Sequence, residues 1–117
     1  MELFEELKKL GVDVDDALRR LSGKEDLYKR LLGLYVKTIE EQYVSPDFSA
    51  ADYQQEIAKA HSIKGTSGNI SVTPMYQAYT KIVELLRADD PEGARAVLLK
   101  EILPRQNEIV ACIRKYQ

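Results

Sequence analysis

The sequence predicts an all-α fold, an antiparallel four-helix bundle with one or two short N-terminal helices capping one end. Three observations point there. Apolar residues recur at three- and four-residue steps through most of the chain. Proline, glycine and Ser/Asp clusters fall mainly between these periodic stretches and leave only short loops. No stretch alternates apolar and polar residues convincingly as a strand would, and there is no internal repeat. At 117 residues the chain is expected to form a single domain, residues 1–117, with one core.

The elements follow in order. In "ELFEELKKL", Leu3, Phe4, Leu7 and Leu10 share a helical face, and Gly11 stops the helix. "DVDDALRRLSG" predicts a short second helix, with Asp13 or Asp15 as the cap and Gly23 as the end. "KEDLYKRLLGLYVKTIEEQYV" is long and amphipathic, and Leu27, Leu31, Leu34, Tyr35 and Ile39 supply its expected apolar stripe. Pro46 breaks the chain, because it forces Ser45 out of helical geometry. Ser49 is the expected cap of a helix running from about Ala50 to Ile70. Thr73 and Pro74 predict a cap followed by a first-turn proline, and Asp90 and Pro91 repeat the pattern. The last helix runs toward Tyr116, and Pro104 is expected to kink or interrupt it.

Composition narrows the function. The net charge is −2, which gives no general attraction to nucleic acid or to an anionic membrane. One cysteine, Cys112, and one histidine, His61, cannot supply the four ligands of a zinc site, which nearly excludes one. Cys112 lies on an apolar stripe and is expected to be a small core residue. Asp13, Asp15 and Asp16 suit a helix start better than a metal site. Most of the tyrosines are expected in the core or at its edge. The N-terminus lacks the apolar stretch of a signal peptide, and no run approaches a membrane span, so a cytoplasmic location is expected.

The lone histidine lies in "AKAHSIKGTSGNIS". At about 100° per residue, Tyr53, Ala60, Ile63 and Ser67 gather on the core side of this helix, while Ser62, Thr66 and Asn69 point outward. His61 falls at the edge of the buried face. Lys64, Gly65 and Gly68 share its face, one and two turns on. An accessible imidazole nitrogen is a nucleophile. Lys64 is a cation within reach of a phosphoryl group on that nitrogen. Two glycines inside a helix each cost about 1 kcal/mol against alanine, which makes sense where an approaching partner needs the space.

These residues resemble the signature of histidine-containing phosphotransfer (HPt) domains, a His-x-x-Lys-Gly core in a helix of a four-helix bundle. The stretch Gly11 to Val36 is similar to the first half of such domains, with its Gly-hydrophobic-Asp entry and a later Gly-x-x-x-Leu-Tyr-x-x-Leu-Leu. The resemblance spans about Gly11 to Leu86. It implies His61 as phosphoacceptor, Lys64 as phosphate-stabilising residue, and Gly65 and Gly68 as residues that keep a docking surface accessible. Gln54, two turns before His61 on its face, is a possible site neighbour. The reactive nitrogen is expected to be Nε2, with Nδ1 held inward. Two stretches depart from the family pattern. Ser71-Val72 stands where Gly-Ala is common, and Tyr79, Ile82 and Val83 replace a small residue followed by Leu-Glu.

The implied function is a phosphorelay intermediate in two-component signalling. It takes a phosphoryl group from the phosphoaspartate of a response-regulator receiver domain and hands it to another receiver aspartate. Its partners would be such receivers and a (hybrid) sensor histidine kinase. Mg²⁺ is expected on the receiver, with no cofactor on this chain, no autonomous kinase or ATPase activity and a monomeric state. Two rival readings use the same fold, a non-phosphorylated helical adaptor and the excised phosphoacceptor domain of a chemotaxis-type kinase. A histidine-dependent hydrolase would need a second positioned residue and a pocket, and neither is visible in the sequence.

Overall fold

The structure, a computed structural model, describes residues 2–48 and 53–117. Among these residues every regular element is helical: α1 (Glu2–Lys9), α2 (Val14–Arg20), α3 (Glu25–Glu41), α4 (Gln54–Asn69), α5 (Thr73–Arg87), α6 (Pro91–Val97), a π-helical turn (Leu98–Ile102) and α7 (Leu103–Lys115). The expected cap Ser49 and the expected helix start at Ala50 lie outside the described residues. The helices pack into an elongated body of 45 × 22 × 20 Å. α4 packs most extensively on α5, α3 touches α4 and α7, α1 lies on α7, and α5 meets α6 and the π turn. The buried side chains form one contiguous apolar cluster.

Local chemistry explains most boundaries. Gly11 ends α1 at φ +91°, and a Cβ there would lie 2.8 Å from Pro74 Cγ, so only glycine fits. Asp13, one of the two candidate caps, fills that role: the Asp16 N–H donates to its carboxylate at 3.1 Å. Asp90 caps α6 in the same way, accepting from the Gly93 N–H at 2.9 Å. Thr73 does not cap α5. It is the helix's first residue, and Val72 holds the cap position without a side-chain bond. The turn before α5 is set from elsewhere, since the Asp13 N–H donates to the Ser71 carbonyl at 2.9 Å and Ser71 takes φ +61°. Pro74 does sit in the first turn, as its missing N–H allows.

The stripe expected on α3 is corrected. Tyr28, Leu32, Tyr35, Val36 and Ile39 are buried, Leu27 and Leu31 are only half-buried, and Leu34 is 49% exposed. Both series have helical spacing, so periodicity alone does not choose between them. The tyrosine hydroxyls decide. Tyr28 donates to the Ile70 carbonyl at 3.0 Å and Tyr35 meets Ser67 Oγ at 2.7 Å, so both rings enter the core with their polar ends satisfied. Among the described residues no buried side-chain nitrogen or oxygen lacks a hydrogen bond.

The α-helical run of the last helix is interrupted just before Pro104, as expected, by the π-helical turn Leu98–Ile102, and the chain stays helical on both sides. The chain widens by one residue there, and the Leu103 N–H donates to Leu98 O, five residues back. The wide turn offsets the drift of residues spaced by four, so Ala94, Leu98, Ile102 and Gln106 all remain buried along one side. Gln106 then accepts a hydrogen bond from the buried hydroxyl of Tyr79.

Candidate functional site

α4 has few large apolar residues, and its position comes from tertiary ties. Ala60, Ile63 and Ser67 are fully buried. Ser67 Oγ donates to the Ile63 carbonyl at 2.7 Å, which uses its only proton, so Tyr35 is the donor in the Tyr35–Ser67 pair. Tyr53 is half-buried, not central to the core as the sequence suggested. Ser62 and Asn69 point outward as expected, and Thr66 is half-buried with its hydroxyl on the Ser62 carbonyl.

His61 is exposed on the outer side of α4. Among the described residues, none hydrogen-bonds its ring. Lys64, one turn on, is half-buried, Gly65 is exposed and Gly68 half-buried. The two glycines differ. A Cβ at Gly65 would meet nothing within 4 Å. A Cβ at Gly68 would lie 3.0 and 3.2 Å from the ring of Tyr76 on α5, so Gly68 makes room for that ring. Lys64 Nζ stands 5.7 Å from the centroid of the same ring. Gln54 is exposed at the first position of α4. It lies two turns before His61, about 10 Å along the helix axis.

Beyond Gly68 the surface folds into a cleft of about 520 Å³, lined by Asp16, Arg20, Gly65, Gly68, Ser71 and Tyr76 among others. Its floor is a polar network joining α2 to the end of α4. Arg20 Nη1 donates to the Gly68 carbonyl at 2.9 Å, and Arg20 Nε lies 3.2 Å from Asp16 Oδ2. Ser71 Oγ donates to the same Asp16 oxygen at 2.7 Å. The Ser71 bond is the main reason that the Asp16 carboxyl titrates below its ordinary value; Arg20 and Arg19 add to it, and burial opposes them. A second cleft, between α5 and the last helix, is lined by charges of both signs, two of which pair as Lys81–Glu101 at 3.2 Å.

The sequence singled out His61, Lys64, Gly65 and Gly68, and the fold places all four on one face. It missed Tyr76, Arg20, Asp16 and Ser71 as neighbours of that face. Tyr76 carried a signal, since it falls outside the Met75, Ala78, Tyr79, Ile82 stripe of α5 and is 42% exposed. Arg20 carried none.

No group of three or more His, Cys, Asp or Glu side chains among the described residues is placed to hold a metal ion. Asp13 is occupied as a cap, and Asp15 pairs with Lys8 at 3.4 Å. Cys112 is buried, as expected. Burial, with the Glu6 carboxylate 3.5 Å from Sγ, pushes its thiol up to about 11. No helix among the described residues is long and apolar enough to cross a membrane.

No protein-family model, no curated protein and no solved structure matches this chain.

Proposed function

We propose that this chain is an HPt-type phosphoryl carrier of two-component signalling, with His61 as the phosphoacceptor. The observation that carries the reading is an exposed imidazole with a lysine one turn away and an open glycine surface beside it. In the finer architecture that goes with it, α3, α4, α5 and the composite last helix are the four antiparallel members, and α1 and α2 cap one end.

In the forward step a receiver domain docks over the His61 face. The Nε2 lone pair attacks phosphorus in line, the N–P bond forms as the aspartyl O–P bond breaks, and the aspartate leaves as a carboxylate. Nδ1 keeps its proton throughout. The reverse step, onto a second receiver aspartate, runs through the same geometry. Such transfer is chiefly positioning and charge stabilisation. The receiver supplies Mg²⁺ and its acidic cluster, and this chain supplies the nucleophile and the Lys64 cation. The proposed setting is cytoplasmic, with a (hybrid) sensor kinase upstream. The carrier acts as a monomer and has no ATPase activity, no nucleic-acid partner and no membrane insertion.

The test is incubation with phosphorylated receiver domains and Mg²⁺, followed by assay for acid-labile, alkali-stable phosphate. Label on the native protein and none on His61→Gln is the expected result. Equal label on both proteins moves the site elsewhere. No label from competent receivers favours the adaptor reading.

A further inference from the structure

We infer that Tyr76 is a resting seat for the Lys64 ammonium, and that phosphorylation of His61 draws Lys64 off it; the inference rests on the phosphoacceptor reading of His61. Lys64 Nζ lies 5.7 Å from the Tyr76 ring centroid. The ring is pressed against α4 at Gly68, one turn beyond Lys64, whereas His61 lies about one turn before it. The seat therefore engages the ammonium with a ring that packs at the Gly68 end of this face. Among the described residues no carboxylate pairs with Lys64, so the ring is its partner there.

Gly68 gains a specific role from this arrangement. A Cβ at that position would lie 3.0 Å from Tyr76 Cδ2, so the ring would have to shift by a few tenths of an ångström. Gly68 thus lets the ring sit close against α4, while Gly65 serves the open surface next to His61. A dianionic phosphoryl group on Nε2 is a stronger partner for an ammonium than an aromatic face, because charge-assisted hydrogen bonds exceed cation–π contacts at exposed sites. Lys64 then exchanges one partner for the other. Tyr76 acts as a positioning residue, since it touches neither phosphorus nor imidazole, and its competition for Lys64 lowers the stability of the phosphohistidine state. A cation–π contact of ordinary strength corresponds to about a two- to five-fold effect on the transfer equilibrium.

The deciding measurement is solution NMR of the Lys64 Cε protons, before and after chemical phosphorylation of His61 with phosphoramidate. That donor's own P–N bond breaks, the new one forms at the imidazole, and ammonia leaves. The ring current should shift these protons upfield in the resting protein and in Tyr76→Phe, but not in Tyr76→Leu. Phosphorylation should abolish the upfield shift. Its absence at rest, or its survival after phosphorylation, overturns the inference. In the transfer equilibrium with a receiver, Tyr76→Leu should favour phosphohistidine by about two- to five-fold, and the gain should vanish on a Lys64→Ala background. An equal gain on that background would make Tyr76 merely structural. Receivers that never label His61, with the NMR exchange intact, would bring down the carrier reading alone.

Discussion

On its inner side α4 presents Ala60, Ile63 and Ser67, none with measurable exposure, while its outer side presents His61 and Gly65 to solvent. The inner side is held by packing and by the Tyr35–Ser67–Ile63 hydrogen-bond chain. The outer side holds two glycines that disfavour helix, and it forms because the inner side and the ties at the helix end fix the backbone. Stability and chemistry thus rest on different residues of one helix. Substitutions that matter most to one should matter least to the other.

That division can be broken experimentally. Ile63→Ala should have the largest effect on stability, a loss of about 2–5 kcal/mol in chemical denaturation, because it opens a cavity in a fully buried site. Tyr35→Phe should cost about 1 kcal/mol, since Ser67 keeps its bond to Ile63 and loses only the tyrosine donor. Gly65→Ala should stabilise by up to about 1 kcal/mol in thermal melts, because nothing opposes the new methyl, yet it should slow transfer by narrowing the surface beside His61. Gly68→Ala should gain less than Gly65→Ala, because the Tyr76 ring must move. Equal gains at the two glycines would erase the distinction between them. His61→Gln should change stability by less than about 0.5 kcal/mol and still abolish phosphorylation.

A pH series sharpens the contrast at the end of α4. The folded protein holds the Asp16 carboxyl below its ordinary value, so the stabilisation is present above the unfolded carboxylate's titration and is lost as pH falls through the folded one. Asp16→Asn should therefore flatten the acid side of the stability curve while leaving His61 labelling intact. A raised thiol works in the opposite direction. Cys112 contributes below its unfolded titration, and that contribution is lost as pH rises toward about 11. Alkylation of the folded protein at neutral pH should be slow.

Much of this molecule is legible from local patterns. Helical spacing, the Asp90 cap, the stop at Gly11 and the shared face of His61, Lys64 and the two glycines depend on residues a few places apart, and a sequence records such neighbours directly. The choice of Asp13 over Asp15 as cap and the full exposure of His61, which the period placed at the edge of the buried face, came from the fold. Choosing between the two stripes of α3 needed hydroxyl acceptors on Ser67 and Ile70, more than thirty positions away. Replacing Thr73 with Val72 at the α5 cap needed a backbone bond from Asp13. At Pro104 the sequence showed a missing N–H, but only the demand for Leu98, Ile102 and Gln106 on one buried side made a wide turn the answer. Likewise His61, Lys64 and the two glycines came from a single helix's period, whereas the seating of Lys64 on Tyr76 depends on how α5 docks against α4. Helical period and capping act between chain neighbours and are written in the sequence. Which rings and hydroxyls meet across helices is set by close packing and the pairing of buried polar groups, which only the folded chain specifies.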